Sequence, residues 1–417
     1  MLKPPPLKDD CFALPPGVDW IPVDQVFQYL QNALTPRALH DERPVQQALG
    51  LFLAQEIISE RSSPPHRNSA IDGYAFDGRA SSSHGIIRLK LLEGRSAAGH
   101  AFVGSVPQGT AIRILTGAVV PEGTDTVVLQ EDVETDGHEL VFHGPLKPGK
   151  NTREAGEDIK VGQSLFEAGH RVSPADLATL TSVGVSDVSV FRPLRVGVMS
   201  TGDEICEGGE IPAEGQIFDA NRPMLLGQLR QKGYEAIDLG KAPDDPQKVS
   251  ETLNRGAELC DAILTTGGAS AGDEDHLASL LRDKGSLEMW RIAVKPGRPM
   301  ALGLWSGVPV FGLPGNPVAA LVCTLVFVLP SLRLMGGGGW HTPNGYMLPA
   351  HFTKKKKPGR REYLRARVRE GGVEVFPSEG SGRVTGLSWA EGLVEIQDHA
   401  YDIAQGDLVK FIPYEQF

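Results

Sequence analysis

The stretch "DAILTTGGASAGDEDHLASLLRDKG", residues 261–285, decides how the centre of this chain folds. It opens as a short apolar strand, passes through a glycine-rich loop and closes on a helix pattern that ends at glycine. The same alternation extends on both sides. "LRVGVMS" is strand-like and "NRPMLLGQLRQKG" is helical. "EAIDLG" is a strand, "DDPQKVSETLNRGAELC" a helix with acids and proline at its start, "VPVFGLPG" a strand and "NPVAALVCTLVFVL" a helix. Repeated βα units from 194 to 334 predict a parallel sheet covered by helices on both faces. Ligands of such sheets bind at the carboxyl ends of the strands. The loops "STGDE", "TTGGASAGDEDH" and "LPGNP" all follow strands and should therefore share one rim.

The flanks read differently. "VDQVFQYLQNALT" and "VQQALGLFLAQEI" show helical periodicity, with Asp24 a possible cap of the first. Residues 64–145 hold short β-rich runs between Gly/Pro turns, as expected of a small all-β domain. "SPADLATLTSVGV" is a helix with Ser173 before Pro174 at its start. After "MGGGGWHTPNG", residues 347–417 are β-rich again. The expected division is a helical N-terminal domain in two pieces, 1–63 and 146–193, around a β-rich insert at 64–145. An α/β domain at 194–334 and a β-barrel-like C-terminal domain at 335–417 follow.

The 417 residues are 41% hydrophobic and 22% charged, within the range of soluble globular proteins. A net charge of −11 argues against a nucleic-acid or anionic-membrane surface. Cys11, Cys206, Cys260 and Cys323 form no C-x-x-C pair, so neither a zinc ribbon nor a redox motif is indicated, and so few thiols suit a reducing cytosol. The N-terminus lacks the apolar core of a signal peptide. The longest apolar run, Val318 to Leu329, lies between two prolines and reads as a buried helix. The expected location is the cytoplasm.

Chemistry concentrates on the predicted rim. Gly267, Gly268 and Ser270 offer backbone N–H groups and a hydroxyl at a strand end before a helix start, which favours an anion; an ordinary tight turn is the competing reading. Asp273, Glu274 and Asp275 then follow, either capping the next helix or serving a cation. Asp203 and Glu204 lie in "STGDE", and Asp244 and Asp245 in "PDDP", where an Asp-Pro helix cap is the simpler reading. Carboxylates from three βα loops beside a phosphate site suggest Mg²⁺. "RIAVKPGRP" places Arg291, Lys295 and Arg298 in an otherwise apolar strand and turn. "KKKKPGRR", Lys354 to Arg361, is a solvated edge-strand tract or an oxyanion funnel.

Taken in order, "NSAIDGYA", "RILTGAVVPEGTDTVVLQED", "NTREAGED", "STGDE", "GQIFDAN", "TTGGASAGDEDH", "WRIAVKPGRPMALG", "FGLPGNPVA", "KPGRREYLRA" and "SEGSG" resemble the MoeA type of molybdopterin molybdenumtransferase, also found as the E domain of gephyrin. The resemblance spans residues 20–417. It implies four subdomains in an elongated homodimer, with the α/β domain shared with molybdopterin adenylyltransferases. It implies that adenylyl-molybdopterin and molybdate enter, AMP is released, molybdate joins the dithiolene, and Mg²⁺ is the metal. By motif, Glu204, Asp244 and Asp275 match functional acids of the α/β domain and are the candidate metal ligands. Lys295 and Pro296 match the molybdate pocket, Arg360 and Ser381 its C-terminal side. Asp72, Thr116 and Asp158 match functional positions of the N-terminal half, which the dimer would bring toward the other subunit. The adenylyltransferase and molybdoenzyme-maturation proteins are the expected partners. Three positions depart from the pattern: Arg291 stands for Lys, Ala319 for Ser and Glu379 for Gln. Two alternatives are an adenylyltransferase, which would transfer AMP from ATP without molybdate, and a gephyrin-like scaffold, for which no long linker is present.

Overall fold

The computed structural model describes residues 20–267, 276–297 and 299–417. Four strands from the alternating region lie parallel. In order they are Glu235–Ala242, Arg195–Thr201, Ala262–Thr266 and Val308–Leu313, and two antiparallel strands, Pro299–Trp305 and Ser286–Arg291, complete a six-stranded sheet. The hairpin at that edge was not part of the purely parallel expectation. Its connection, Trp305 to Val308, contains Ser306 and Gly307 at positive φ, and no helix separates its strands. A two-residue link of this kind can join only antiparallel neighbours.

Successive residues of the central strands face opposite layers, as a strand period of two demands. Val198, Leu264 and Phe311 pack with Leu225 and Leu229 of the helix Asn221–Gln231 and with the long helix Pro317–Met335. Met199, Ile263 and Val310 pack on the other side with Val249 and Leu253 of the helix Pro246–Leu259 and with Leu277 and Leu281 of the helix His276–Lys284. The result is a three-layer α/β sandwich. The helix Val23–Ala33 adds Val23, Val26 and Leu30 to the first of these cores.

The run Val318–Leu329 is helical and buried, as expected. Pro330 has no N–H to give the turn before it, and the helix widens to a π segment at Thr324–Val328. Hydroxyls of Thr324 and Ser331 donate to the carbonyls of Ala320 and Phe327, at 2.8 and 2.7 Å. By length and composition this helix is apolar enough to cross a membrane, but 89% of its most apolar stretch is buried within the protein.

The C-terminal part is a second six-stranded sheet built around Arg361–Arg369, Gly392–Ile396 and Leu408–Pro413. It is stitched to the α/β region by Val294–Lys295, which pairs in parallel with Arg361 and Glu362. Both sheets belong to one compact unit, residues 1–41, 50–54 and 190–417.

Residues 42–49 and 55–189 form the other compact unit. Its main element is a mixed sheet of six strands between Gly73 and Gly144, with Phe76, Leu89, Leu140 and Phe142 among its buried residues. Ser173 caps the helix Pro174–Ser182 in a full capping box with Asp176. The helical periodicity of residues 45–57 is not realised: Val45–Gln47 is one 3₁₀ turn, and Ile57–Ile58 is a strand paired with Ser164–Phe166. Gly50, with φ at 79°, interrupts that stretch where a helix would have to run.

Candidate active site

The carboxyl ends of the parallel strands, where the described parts of the three loops begin, share a rim. Gly267, with φ at 86°, leaves its strand so close to the neighbouring one that a Cβ there would sit 2.7 Å from the Thr201 carbonyl oxygen. Only glycine fits such a position. Gly315 approaches the same point: a Cβ built on it would lie 4.0 Å from the Gly267 Cα. Asn221 ties these ends together: its side-chain amide donates to the Gly315 carbonyl at 2.7 Å, with the Thr266 hydroxyl 3.5 Å away. Among the described residues, its carbonyl oxygen and the Thr265 hydroxyl are buried without a hydrogen-bond partner. Asn221 was not singled out from the sequence, although "GQIFDAN" contains it.

The acids of the rim divide by role. Asp245 is a helix cap, accepting from the N–H groups of Gln247 and Lys248 at 2.8 and 2.9 Å. Asp244 is free of that duty. It accepts from the Asp203 N–H, while Asp203 accepts from the Asp244 N–H, each at 3.2 Å. Both carboxylates and Glu204 are exposed. Gly268, Ser270, Asp273, Glu274, Asp275 and Arg298 lie outside the described residues. Among the described residues, no three His, Cys, Asp or Glu side chains are grouped to hold a metal. The donors that are present at the rim are hard carboxylate oxygens from two adjacent loops. That chemistry suits Mg²⁺, which keeps several waters and needs few protein ligands beside a phosphate.

A pocket of about 170 Å³ lies where the turn after Lys295 meets the C-terminal sheet. Lys295, Pro296 and Val318 form one wall; Lys354, Arg365 and Glu379 form the other. The turn itself is tightly packed from below. Gly297 has φ at 104°, and a Cβ there would lie 2.7 Å from the Cys323 sulfur and 3.6 Å from the Ala319 methyl. Position 319, where a hydroxyl was expected, therefore faces this turn. Burial pushes the Cys323 thiol up to about 12, so it is a packing group.

Lys354 was seen in sequence only as part of a basic tract. In the structure that tract is solvated only in part: Lys355 and Lys357 are exposed, but others turn inward. Lys356 is buried and donates to the carbonyls of Lys357, Asp398 and His399. Arg361 is buried and forked onto Asp24, with two bonds of 3.0 Å. Asp24 therefore serves as the partner of a C-terminal arginine; the cap of its helix is Pro22. Lys354 points at the pocket and pairs with Glu379, and its Nζ lies 3.0 Å from the buried Glu362. Burial opposes its charge, but those two carboxylates outweigh it and hold its pKa above the ordinary lysine value.

Arg365, also unforeseen, braces the "SEGSGR" loop. It donates to the carbonyls of Arg383 at 2.6 Å, Ser378 at 2.5 Å and Gly380 at 3.1 Å, with its guanidinium over the Phe376 ring. Arg360 and Ser381 do not line the pocket. Ser381 stands next to it, its carbonyl accepting from the Val318 N–H at 3.2 Å. Arg291 ends the edge strand, where its carbonyl accepts from the Ile21 N–H.

In the other unit, Asp72 and Thr116 are brought together. The Thr116 N–H and hydroxyl both donate to one Asp72 oxygen at 2.7 Å. The backbone bond, then the hydroxyl, hold the Asp72 carboxyl below its usual range. Asp158 lines a separate hollow with Phe166 and Asp176.

A three-layer α/β sheet with a glycine at its strand rim, and a small pocket lined by Lys295, Lys354 and Arg365 with Glu379 among them, fits a protein that handles anionic ligands. The family comparisons make that class specific. The "MoeA N-terminal region (domain I and II)" matches residues 21–184, the "probable molybdopterin binding domain" 197–334 and the "MoeA C-terminal region (domain IV)" 348–414. The molybdopterin molybdenumtransferase of Haemophilus influenzae is 34% identical over 377 residues, covering 89% of this chain and 93% of that protein. Molybdopterin molybdenumtransferase 2 of Mycobacterium tuberculosis is 32% identical, covering 87% and 92%. The crystal structure of the molybdopterin biosynthesis moeA protein from Pyrococcus horikoshii OT3 superposes with a TM-score of 0.83 at 27% identity, covering 95% of this chain and all of that one. The chain belongs to the MoeA-type molybdopterin molybdenumtransferase family and is a transferase of molybdenum cofactor biosynthesis.

Proposed function

We propose that this enzyme binds adenylyl-molybdopterin on the strand rim and molybdate in the Lys295–Lys354 pocket, and joins the two with release of AMP. The observation that carries the reading is the pocket itself. Two lysines from separate sheets converge on one small cavity, which is what a tetrahedral dianion requires of its site. On the rim, Gly267 would face the phosphates, and Asn221 ties the strand end at Thr266 to Gly315.

In the reaction, water cleaves the phosphoanhydride and AMP leaves. Two Mo–S bonds then form as one molybdate oxygen departs as water with the two dithiol protons. Phosphoryl chemistry of this kind needs charge neutralisation and positioning more than covalent help from the protein. Asp244, with Asp203 and Glu204 on the rim and Asp275 by its motif, would hold Mg²⁺, which when bound supplies that neutralisation. Asp244 and Asp203 keep each other's carboxylates oriented through their backbone N–H groups. Lys295 and Lys354 position the molybdate, and Arg365 keeps the loop behind it in place. Asp72, Thr116 and Asp158 are assigned to substrate handling in the N-terminal half. The four-part domain division, a homodimeric assembly and a cytoplasmic location complete the proposal, with the adenylyltransferase as supplier of substrate and molybdoenzyme-maturation proteins as receivers of product.

The test is turnover of adenylyl-molybdopterin with molybdate and tungstate titrated in parallel. AMP release that rises with oxyanion and saturates is expected. Transfer of AMP from ATP to molybdopterin without molybdate would overturn the reading.

A further inference from the structure

The two lysines of the pocket are already matched by two carboxylates, while Arg365 is engaged with loop carbonyls. Lys295 and Lys354 carry two positive charges, and Glu379 and Glu362 carry two negative ones. Glu379 sits between the lysines, with one carboxylate oxygen on each. Burial works against its charge, but the hydrogen bonds from Lys295 and Lys354 outweigh that and keep its carboxyl below the usual range. Glu362 is 3.0 Å from Lys354 and 3.7 Å from Lys295.

These two carboxylates differ in mobility. Glu362 is 5% exposed and lies in a strand paired on both sides, so it cannot leave. Glu379 has a side chain 47% exposed and stands on a loop outside any strand or helix. Arg365 pins the carbonyls of Ser378, Gly380 and Arg383, on both sides of it. The backbone at 379 is thereby held, and the carboxylate can move only by turning its side chain toward solvent.

An incoming dianion meets a lysine pair with no net charge to offer. With Glu379 in place, its attraction to the lysines is offset by repulsion from two carboxylates at similar range. With Glu379 turned out, the same lysines face it with only Glu362 opposing. We propose that Glu379 is a resident counter-anion of the oxyanion pocket, one that an entering tetrahedral dianion must displace from Lys295 and Lys354. This rests on the pocket being the molybdate site. The exchange sets a threshold for occupancy: a dianion that can bridge both lysines competes with the carboxylate, whereas a monoanion that reaches only one does not.

The experiment is titration calorimetry with sodium molybdate alone, at fixed pH and ionic strength, on the full chain and on Glu379→Gln, Glu379→Ala and Lys295→Ala. Glutamine keeps the shape of the side chain and removes its charge. The expected result is molybdate binding at least about tenfold tighter in both Glu379 variants and weaker in Lys295→Ala. Two independent Glu379 replacements keep the answer readable if one of them folds poorly. Sodium chloride at matched ionic strength should not compete in either form. If Lys295→Ala weakens binding while both Glu379 variants bind as the parent chain does or more weakly, the counter-anion proposal is overturned and the pocket assignment stands. If Lys295→Ala binds molybdate unchanged, or no form binds it, the pocket assignment fails and takes the proposal with it.

Discussion

The rim of the parallel strands and the pocket beside it are both suited to anions, by opposite means. At the rim the means is close approach to uncharged backbone: Gly267 lies where any side chain would meet Thr201, and the carboxylates of Asp203, Glu204 and Asp244 stand exposed. In the pocket the means are side-chain charges that converge from two sheets and are neutralised in advance by Glu379 and Glu362. A backbone cradle carries no net charge and favours an extended phosphate chain laid along it. A pair of lysines held by their own counter-ions favours a compact dianion that can replace one of them.

Breaking the rim should have the largest effect. Gly267→Ala forces a Cβ against the Thr201 carbonyl at positive φ, and is expected to cost about 3 kcal/mol of stability. Denaturant unfolding would show the loss, and AMP release should fall even where the variant remains folded. The next effect sharpens the pocket side of the contrast. Arg365→Ala strips three loop carbonyls of their donor and should cost about 2 kcal/mol. Its signature is a molybdate half-saturation raised by about tenfold, with binding of adenylyl-molybdopterin at the rim unchanged. Asp245→Ala should do least. It removes a helix cap worth about 1 kcal/mol, seen as a lower melting temperature, and should leave AMP release within about twofold of the parent chain. An Asp245 variant that stayed folded but lost AMP release would erase the distinction between cap and rim acid.

The same contrast explains what could be read from sequence. The rim follows from local pattern: a strand, a glycine loop and a helix start recur three times, and their shared edge is a consequence of parallel strands. Ser173 and Asp245 were legible as caps because a cap and its helix are adjacent in the chain. The pocket is not local. Lys295 and Glu379 are 84 residues apart, and Arg361 reaches Asp24 across 337 residues. No spacing rule links such pairs, so Lys354 is indistinguishable in sequence from the rest of its basic tract, and nothing local marks Arg365. The misread helix at 45–57 has another cause: apolar periodicity was present, but Gly50 at positive φ ends any helix there.

The central claim is that Lys295 helps form the oxyanion site whose occupancy drives AMP release. Single-turnover AMP release measured against molybdate concentration, in the parent chain and in Lys295→Ala, tests it most directly. The account predicts a half-saturating molybdate concentration raised by about a hundredfold in the variant, as loss of a charge-assisted contact to a dianion should give, with the affinity for adenylyl-molybdopterin unchanged. Half-saturation at the same molybdate concentration in both proteins would contradict it.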